Sequence, residues 1–349
     1  MNTMASSTAA GTGNLQLEYL SPHSVASQPA TWWQSVLGVV GFEKPPRIDG
    51  ARIPVTASMT PSLSASDLCE VWRVGGPQVR LSSGESSQAR VQYRYSEDLL
   101  FGSLTIVERT IDARSDAGAL LRATENAYLE IFDVLNETDH RHLIRIWNYL
   151  PDINAQTGGD ERYRHFNSAR QTAFRKSGRA TMGTVPAASA LGSPAGSPIS
   201  IYFLAARRPP KMIENPRQTS AYHYPPKFGR HSPIFSRACV WGEPGGSILF
   251  VSGTASIVGH ESLHRGDVVA QTRETLVNIR ALLEEANRVV GAARYSLEGL
   301  KLKVYVRKPS DLAAVEATLS ELLRPAAGIV YLQADVCRED LLVEIEAVG

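Results

Sequence analysis

The sequence predicts an α+β (mixed α/β) fold in which one sheet-plus-helix unit is used twice. Three observations predict it. The segment from Leu99, "LLFGSLTIVERTIDARSDAGALLRATENAYLEIFDVLNETDHRHLIRIWNYLPDIN", and the segment from Ile248, "ILFVSGTASIVGHESLHRGDVVAQTRETLVNIRALLEEANRVV", share one succession of apolar strand, irregular stretch and long helix. Each is followed by an alternating strand, the second being "LKLKVYVRKPSDL", that ends near Pro-Asp or Pro-Ser-Asp. The starting points stand 149 positions apart, and 349 residues are enough for two such units.

The elements follow in order. Residues 1–14, "MNTMASSTAAGTGN", lack a basic region and an apolar core, so they read as a disordered tail and not a targeting signal. "RVQYRYSEDLLFGSLTI" reads as short strands and turns. In the first long helix Ala127, Leu129, Ile131, Phe132 and Leu135 form an imperfect stripe. In the second, Val268, Leu276, Ile279, Leu282 and Leu283 form a better one. Asp116 and Asp267 stand at cap-like positions before them. Between the units "TMGTVPAASALGSPAGSPIS" reads as a surface loop, without the Gly-Lys-Ser/Thr of a phosphate cradle, and "ISIYFLAA" as a buried strand. The expected division is an N-terminal domain over 15–198 and a C-terminal one over 199–349. In the closing "DVCREDLLVEIEAVG", strand alternation puts Leu342, Glu344 and Glu346 on one face and Leu341, Val343 and Ile345 on the other.

Composition excludes several classes. A formal net charge of +1 argues against nucleic acid or an anionic membrane as an electrostatic partner, and no apolar run is long enough for a membrane span. Three scattered cysteines make neither a disulfide framework nor a zinc knuckle, which points to a reducing, cytoplasmic setting. No metal-binding pattern, nucleophile elbow or dinucleotide fingerprint is present. The close histidine pairs His140/His142 and His260/His264 read as solvated surface. Arginine outnumbers lysine 29 to 7, which fits a GC-rich genome or a set of carboxylate clamps.

Two stretches stand out as site material. "ERYRHFNSARQTAFRKSGR" and "ENPRQTSAYHYPPKFGRHSPIFSRA" both read as active-site loops that interleave arginines with aromatic residues, and the second adds prolines that stiffen it over a pocket. The plainer reading is surface ion pairs and core aromatics; a single-stranded nucleic-acid groove is disfavoured by the net charge.

Over its last 100 or so residues the chain resembles the RidA/YjgF family, through "FVSGTASIVG", "VVAQTRETLVNIRALLEEA", "LKVYVRKPSDL" and "VEIEAVG". The arginine that imine-hydrolysing members carry after a proline is absent from "LRPAAGIVYL", which argues against that activity. Over its whole length the chain resembles the chorismatases, which carry a RidA-like domain with an internal pseudo-repeat. The resemblance rests on "RYRHFNSAR", "AYHYPPKFGRHSPIFSRA" and the spacing of Cys337 and Glu344. It implies chorismate as substrate, no cofactor, Tyr163, Arg170, Tyr224 and Arg237 as substrate-binding residues, and Glu344 as the catalytic acid.

That chemistry suits those residue types. Chorismate carries two carboxylates, which two separated arginines can clamp while tyrosines donate to the remaining oxygens. Cleavage of the enol ether begins with protonation of carbon, a task for a carboxylic acid held above its usual pKa; Leu342 is expected to help dry it. The resemblance further implies that Cys337 with Gly253 marks members forming 3-hydroxybenzoate through an arene oxide, whereas others stop at a dihydroxycyclohexadiene acid. Some relatives also form 4-hydroxybenzoate, feeding pigment and ubiquinone synthesis. An unbroken strand would set Cys337 and Glu344 on opposite faces, so a turn at Arg338–Asp340 is required for both to meet one substrate. The competing reading is a RidA-like protein that binds a small carboxylate without consuming it. A duplicated unit already mimics a subunit contact internally, which points to a monomer, with a trimer as the alternative.

Overall fold

Runs of aliphatic residues bounded by turn formers build three large sheets and two small two-stranded ladders in the computed structural model, which describes residues 14–48, 53–75, 79–88, 90–108, 116–243, 246–323 and 328–349. Residues 1–13 of the expected tail, and 324–327 of the stretch read for the missing arginine, lie outside the described residues.

The first sheet contains β1 (Asn14–Leu20), β2 (Val36–Gly41), β3 (Val55–Ala57) and β4 (Cys69–Gly75), in the order β1-β4-β2-β3. Short helices α1 (Pro22–Ala26) and α2 (Ala30–Trp33) link β1 to β2, and the Ser21 hydroxyl caps α1 by accepting from the Ser24 N–H.

Two six-stranded sheets follow. The first unit runs β5 (Ser82–Glu85), β6 (Gln92–Tyr95), β7 (Leu99–Ile106), α3 (Asp116–Glu137), β8 (His142–Pro151), the small ladder β9 (Gln156–Thr157) and β10 (Asp160–Glu161), α4 (Arg162–Lys176), β11 (Ala187–Ser193) and β12 (Ile199–Ala206). The second runs β13 (Lys211–Ile213), β14 (Ala238–Trp241), β15 (Ile248–Thr254), the ladder β16 (Ile257–Val258) and β17 (Glu261–Ser262), α5 (Val268–Val290), β18 (Lys301–Val306), α6 (Leu312–Leu322), β19 (Ile329–Gln333) and β20 (Val343–Val348). Their strand orders, β5-β6-β7-β12-β8-β11 and β13-β14-β15-β20-β18-β19, match position for position. Each sheet also has one parallel pair, β8 with β11 and β18 with β19. The expected duplicated, RidA-like α+β unit is therefore the architecture of the chain.

The long helices form where an apolar stripe meets a capped end. Asp267 accepts from the Ala270 N–H at 2.9 Å to start α5, and Gly291, at φ 74°, ends it in the left-handed conformation. Leu276, Ile279, Leu282 and Leu283 pack that helix on Val251, Val304 and Ile345. On the first unit Ala127, Ile131, Phe132 and Leu135 pack α3 on Leu100 and Ile146. The faces turned away from the helices, together with the N-terminal sheet, enclose a shared core containing Trp72, Phe101, Trp147, Tyr202, Phe250 and Tyr305.

Four expectations are corrected. The tract read as a surface loop contains β11, buried along most of its length and paired in parallel with β8; its small residues hide the strand signal but fit a crowded inter-sheet position. "RYRHFNSARQTAFRK" is helix α4 and not a loop, with Phe166, Ala169, Ala173 and Phe174 on its buried side. The strand Ile199–Ala206 hydrogen-bonds to both β7 and β8, which puts it in the first unit's sheet and not past a boundary at 198/199. His140 is fully buried, its Nε2 3.1 Å from the Ser96 carbonyl oxygen.

Candidate functional site

The closing segment turns before it becomes a strand. The Leu341 N–H donates to the Arg338 carbonyl at 3.1 Å. Arg307 ties the same turn down, donating to the carbonyls of Val336, Arg338 and Leu341 at 2.8–2.9 Å and to Asp335 at 2.7 Å. Gln271 of α5 holds the other side, donating to the Asp340 carbonyl and accepting from the Leu342 N–H. The turn expected at Arg338–Asp340 is thus built, and it delivers Cys337 and Glu344 to one cavity.

That cavity, of about 440 Å³, opens where α4 of the first unit faces β15 and β20 of the second. Glu344, Cys337, Tyr163, Tyr224, Arg237 and Gly253 all line it. Arg170 lines a small inner extension that shares Tyr163, Gly253, Cys337 and Glu344 with the main chamber. All seven residues expected from the sequence are therefore brought together. Leu342 is the exception among the supporting groups. It precedes the strand and is not part of the wall, whose apolar side comes from Phe228, Phe235, Ala255 and Ile257.

Local structure explains how each side chain arrives. Tyr163, Asn167 and Arg170 share one side of α4 through helical spacing. Tyr224 follows the one-turn helix Ala221–His223 in the proline-rich loop, and Arg237 immediately precedes β14. Gly253 sits at a register shift between β15 and β20, a bulge of the kind that re-aims groups beside functional sites. A Cβ on Gly253 would overlap the Glu344 carboxyl, so the close approach of strand and acid requires glycine.

The electrostatics divide the site. Burial, then the neighbouring Glu346, raises the Glu344 carboxyl to about 8 against the pull of Arg145, Arg237 and Arg307, so at neutral pH it is mostly a protonated acid. Burial and Glu344 push the Cys337 thiol up to about 12, which keeps it a neutral donor. Burial also raises Tyr163, keeping its hydroxyl intact. The cations have donors to spare. Arg170 is 2% exposed, lies over the rings of Tyr128 and Phe174, and leaves Nε and Nη2 without partners. Arg237 donates from Nη2 to the Tyr224 hydroxyl and the Thr219 carbonyl, both at 2.7 Å, and its Nε has no partner. Buried unpaired guanidinium donors are costly, and an anionic ligand satisfies them.

Sequence reasoning missed Arg338, Ser189 and Phe235. Arg338 directly follows Cys337, lies 4.1 Å above the Phe228 ring centre, and lines the cavity with Nη2 unpartnered. Ser189 was hidden in the tract read as a loop.

The fold has a counterpart in a known structure. A crystal structure of chorismatase superposes with a TM-score of 0.82 at 31% identity, covering 97% of this chain and 99% of that one. A chorismatase of Streptomyces rapamycinicus is 36% identical over 309 residues, spanning 84% of this chain and 86% of its own length. The chain belongs to the chorismatase family. Residues 70–205 also match the family model described as "Chorismatase FkbO/Hyg5-like, N-terminal". A 3-hydroxybenzoate synthase of Streptomyces hygroscopicus is 42% identical over 240 residues, 66% of this chain and 70% of its own. This member of the chorismatase family is accordingly an enzyme. Among its described residues no helix is long and apolar enough to cross a membrane.

Only one of the two units of this chorismatase-family enzyme carries the acid. Glu344 pairs across strands with Tyr305, which stands four residues before Pro309. Phe101 pairs with Leu204 as Phe250 pairs with Val348, so the matching place in the first unit is Ser200, which pairs with Tyr149 and donates its hydroxyl to the Ala57 carbonyl. The first unit thus has a structural serine hydroxyl where the second has a carboxyl.

Proposed function

We propose that the enzyme converts chorismate to 3-hydroxybenzoate and pyruvate, with Glu344 as the proton donor. The observation that carries this reading is a buried carboxyl, raised well above its usual pKa, on the wall of a cavity whose buried arginines, Arg170 and Arg237, have unused donors. Each arginine takes one substrate carboxylate, and Tyr163 and Tyr224 donate to the remaining oxygens. Glu344 passes its proton to the enol methylene carbon, which leaves an oxocarbenium centre. Water adds there, returning a proton to Glu344. Collapse of the adduct frees pyruvate while the C3 oxygen displaces the C4 hydroxyl, which leaves as water assisted by the Cys337 thiol. The resulting arene oxide opens at its C4–O bond as C3 loses its proton, so the atoms of chorismate divide without remainder between the two products.

The name and 42% identity of the Streptomyces hygroscopicus relative support the product assignment, as do Cys337 and Gly253. Incubation with chorismate followed by chromatography tests it: 3-hydroxybenzoate and equimolar pyruvate are expected. A dihydroxycyclohexadiene acid or 4-hydroxybenzoate as the main product overturns the assignment, and unconsumed chorismate overturns the reading altogether. The enzyme acts as a cytoplasmic monomer in this reading, supported by its internal duplication; a trimeric mass in light scattering would contradict the monomer.

A further inference from the structure

The face of β20 carries two carboxyls, and only Glu344 reaches the cavity. Glu346, two residues on, points into the core between the sheets and is 4% exposed. Its Oε2 accepts from Arg145 Nη2 and from the Ser189 hydroxyl, each at 2.7 Å. Its Oε1 accepts from Trp147 Nε1 and from Lys303 Nζ, also at 2.7 Å each. Four donors on two oxygens leave no room for a proton, so the geometry requires the anion.

The cluster is anchored on every side. Lys303 also pairs with the fully buried Glu70 of β4 at 2.8 Å and donates to Tyr202. The Ser189 oxygen, besides donating to Glu346, accepts from Arg145 at 2.5 Å and from the Gly253 N–H at 3.0 Å. Ser189 therefore links the Glu346 cluster to the glycine against which the Glu344 carboxyl rests. Glu346 cannot move away, and it cannot take up a proton without losing a donor.

We propose that Glu346 is a positioning residue: a fixed buried anion, clamped by Arg145, Lys303, Trp147 and Ser189, that keeps Glu344 in its acid form. The inference rests on the reading of Glu344 as the proton donor. Two like charges on one dry strand face cannot both be held cheaply, so the carboxyl without four donors retains its proton. The opposing influences come from other elements. Arg145 of β8, Arg237 before β14 and Arg307 after β18 each favour the Glu344 anion. Arg170 and Tyr163 of α4, Tyr224 of the loop, and Cys337 and Arg338 of the turn line the two chambers, with Tyr305 across the strand pair; the main chamber also carries Glu161, Arg164, Arg265, Glu339 and Asp340. Against these cations Glu346 pushes the other way, while Glu161, Glu339 and Asp340 line the main chamber but not the inner extension.

The test is the pH dependence of kcat/KM with chorismate for wild type, Glu346→Gln, Glu346→Asp and Glu344→Gln. Glu346→Gln is expected to move the basic limb to lower pH, costing about tenfold in alkaline rate per unit moved, with activity recovered in acid. Glu346→Asp, which keeps the charge, is expected to leave that limb in place. A uniform loss at every pH with the limb unmoved overturns the proposal and makes Glu346 merely structural. If Glu346→Gln fails to fold, infrared difference spectroscopy of wild type against Glu344→Gln decides. A protonated-carboxyl band at neutral pH that disappears with Glu344 supports the proposal, and one that persists overturns it. Near-normal turnover by Glu344→Gln would instead defeat the acid assignment itself, whereas an inactive Glu344→Gln with an unmoved Glu346→Gln limb defeats only the present inference.

Discussion

The carboxyl of Glu344 occupies the space where a side chain on residue 253 would begin. Strand β15 bulges at that point, so backbone and acid meet without an intervening group. Gly253→Ala must therefore displace the acid. Displacing a catalytic group by an ångström can cost about 100-fold, and a loss of that order in kcat is expected, with the fold retained on circular dichroism. Unchanged kcat would show that the acid does not work from its observed position.

Arg170 sets stability against binding. Its buried guanidinium has two unpartnered nitrogens, so Arg170→Met removes an uncompensated charge while filling similar volume. The expected outcome is an unchanged or higher melting temperature together with at least about a 100-fold fall in kcat/KM, the scale seen when a buried charge pair loses one member. A lower melting temperature with normal kinetics would assign Arg170 to the core alone.

In the proposed reaction Cys337 acts as a donor and not as a nucleophile. With its thiol pushed up to about 12, alkylation by iodoacetamide at neutral pH is expected to be far slower than for an ordinary free thiol. Cys337→Ala is expected to shift products toward the dihydroxycyclohexadiene acid. Rapid alkylation, or an unaltered product ratio, would return Cys337 to a packing role.

Holding Glu344 protonated has a thermodynamic consequence. Its carboxyl titrates at about 8 in the folded state against an ordinary value of 4.5. Between these values the unfolded chain binds fewer protons than the native one. The contribution to stability is full below the ordinary value, falls as pH rises through the window, and is gone above about 8. The slope is at most about 1.4 kcal/mol per pH unit. Glu344→Gln removes this dependence, so its melting temperature should gain on wild type steadily as pH rises from about 5 to about 8. A constant difference across that range would mean that Glu344 is ionised throughout.

The duplication was legible because β7, α3 and β8 repeat the apolar patterns of β15, α5 and β18, and local periodicity survives divergence. Helix α4 is hard to read from the sequence, since four arginines mask its stripe, although Tyr163, Phe166, Arg170 and Phe174 recur at helical spacing. Strand β11 escaped because alanine, serine and glycine carry little strand preference; its burial against β8 overrides propensity. Alternation narrowed the acid to Glu344 or Glu346 and could go no further. Their difference depends on Arg145, Trp147 and Ser189, between 157 and 201 residues away from Glu346 in sequence, and no local pattern records such partners.

The most direct test of the central claim is single-turnover release of pyruvate from chorismate by wild type and by Glu344→Gln. Loss of at least the roughly 100- to 10,000-fold typical of a general acid is expected, with chorismate still bound through Arg170 and Arg237. Pyruvate release within a few-fold of wild type would contradict the assignment of Glu344 as the group that protonates the enol ether.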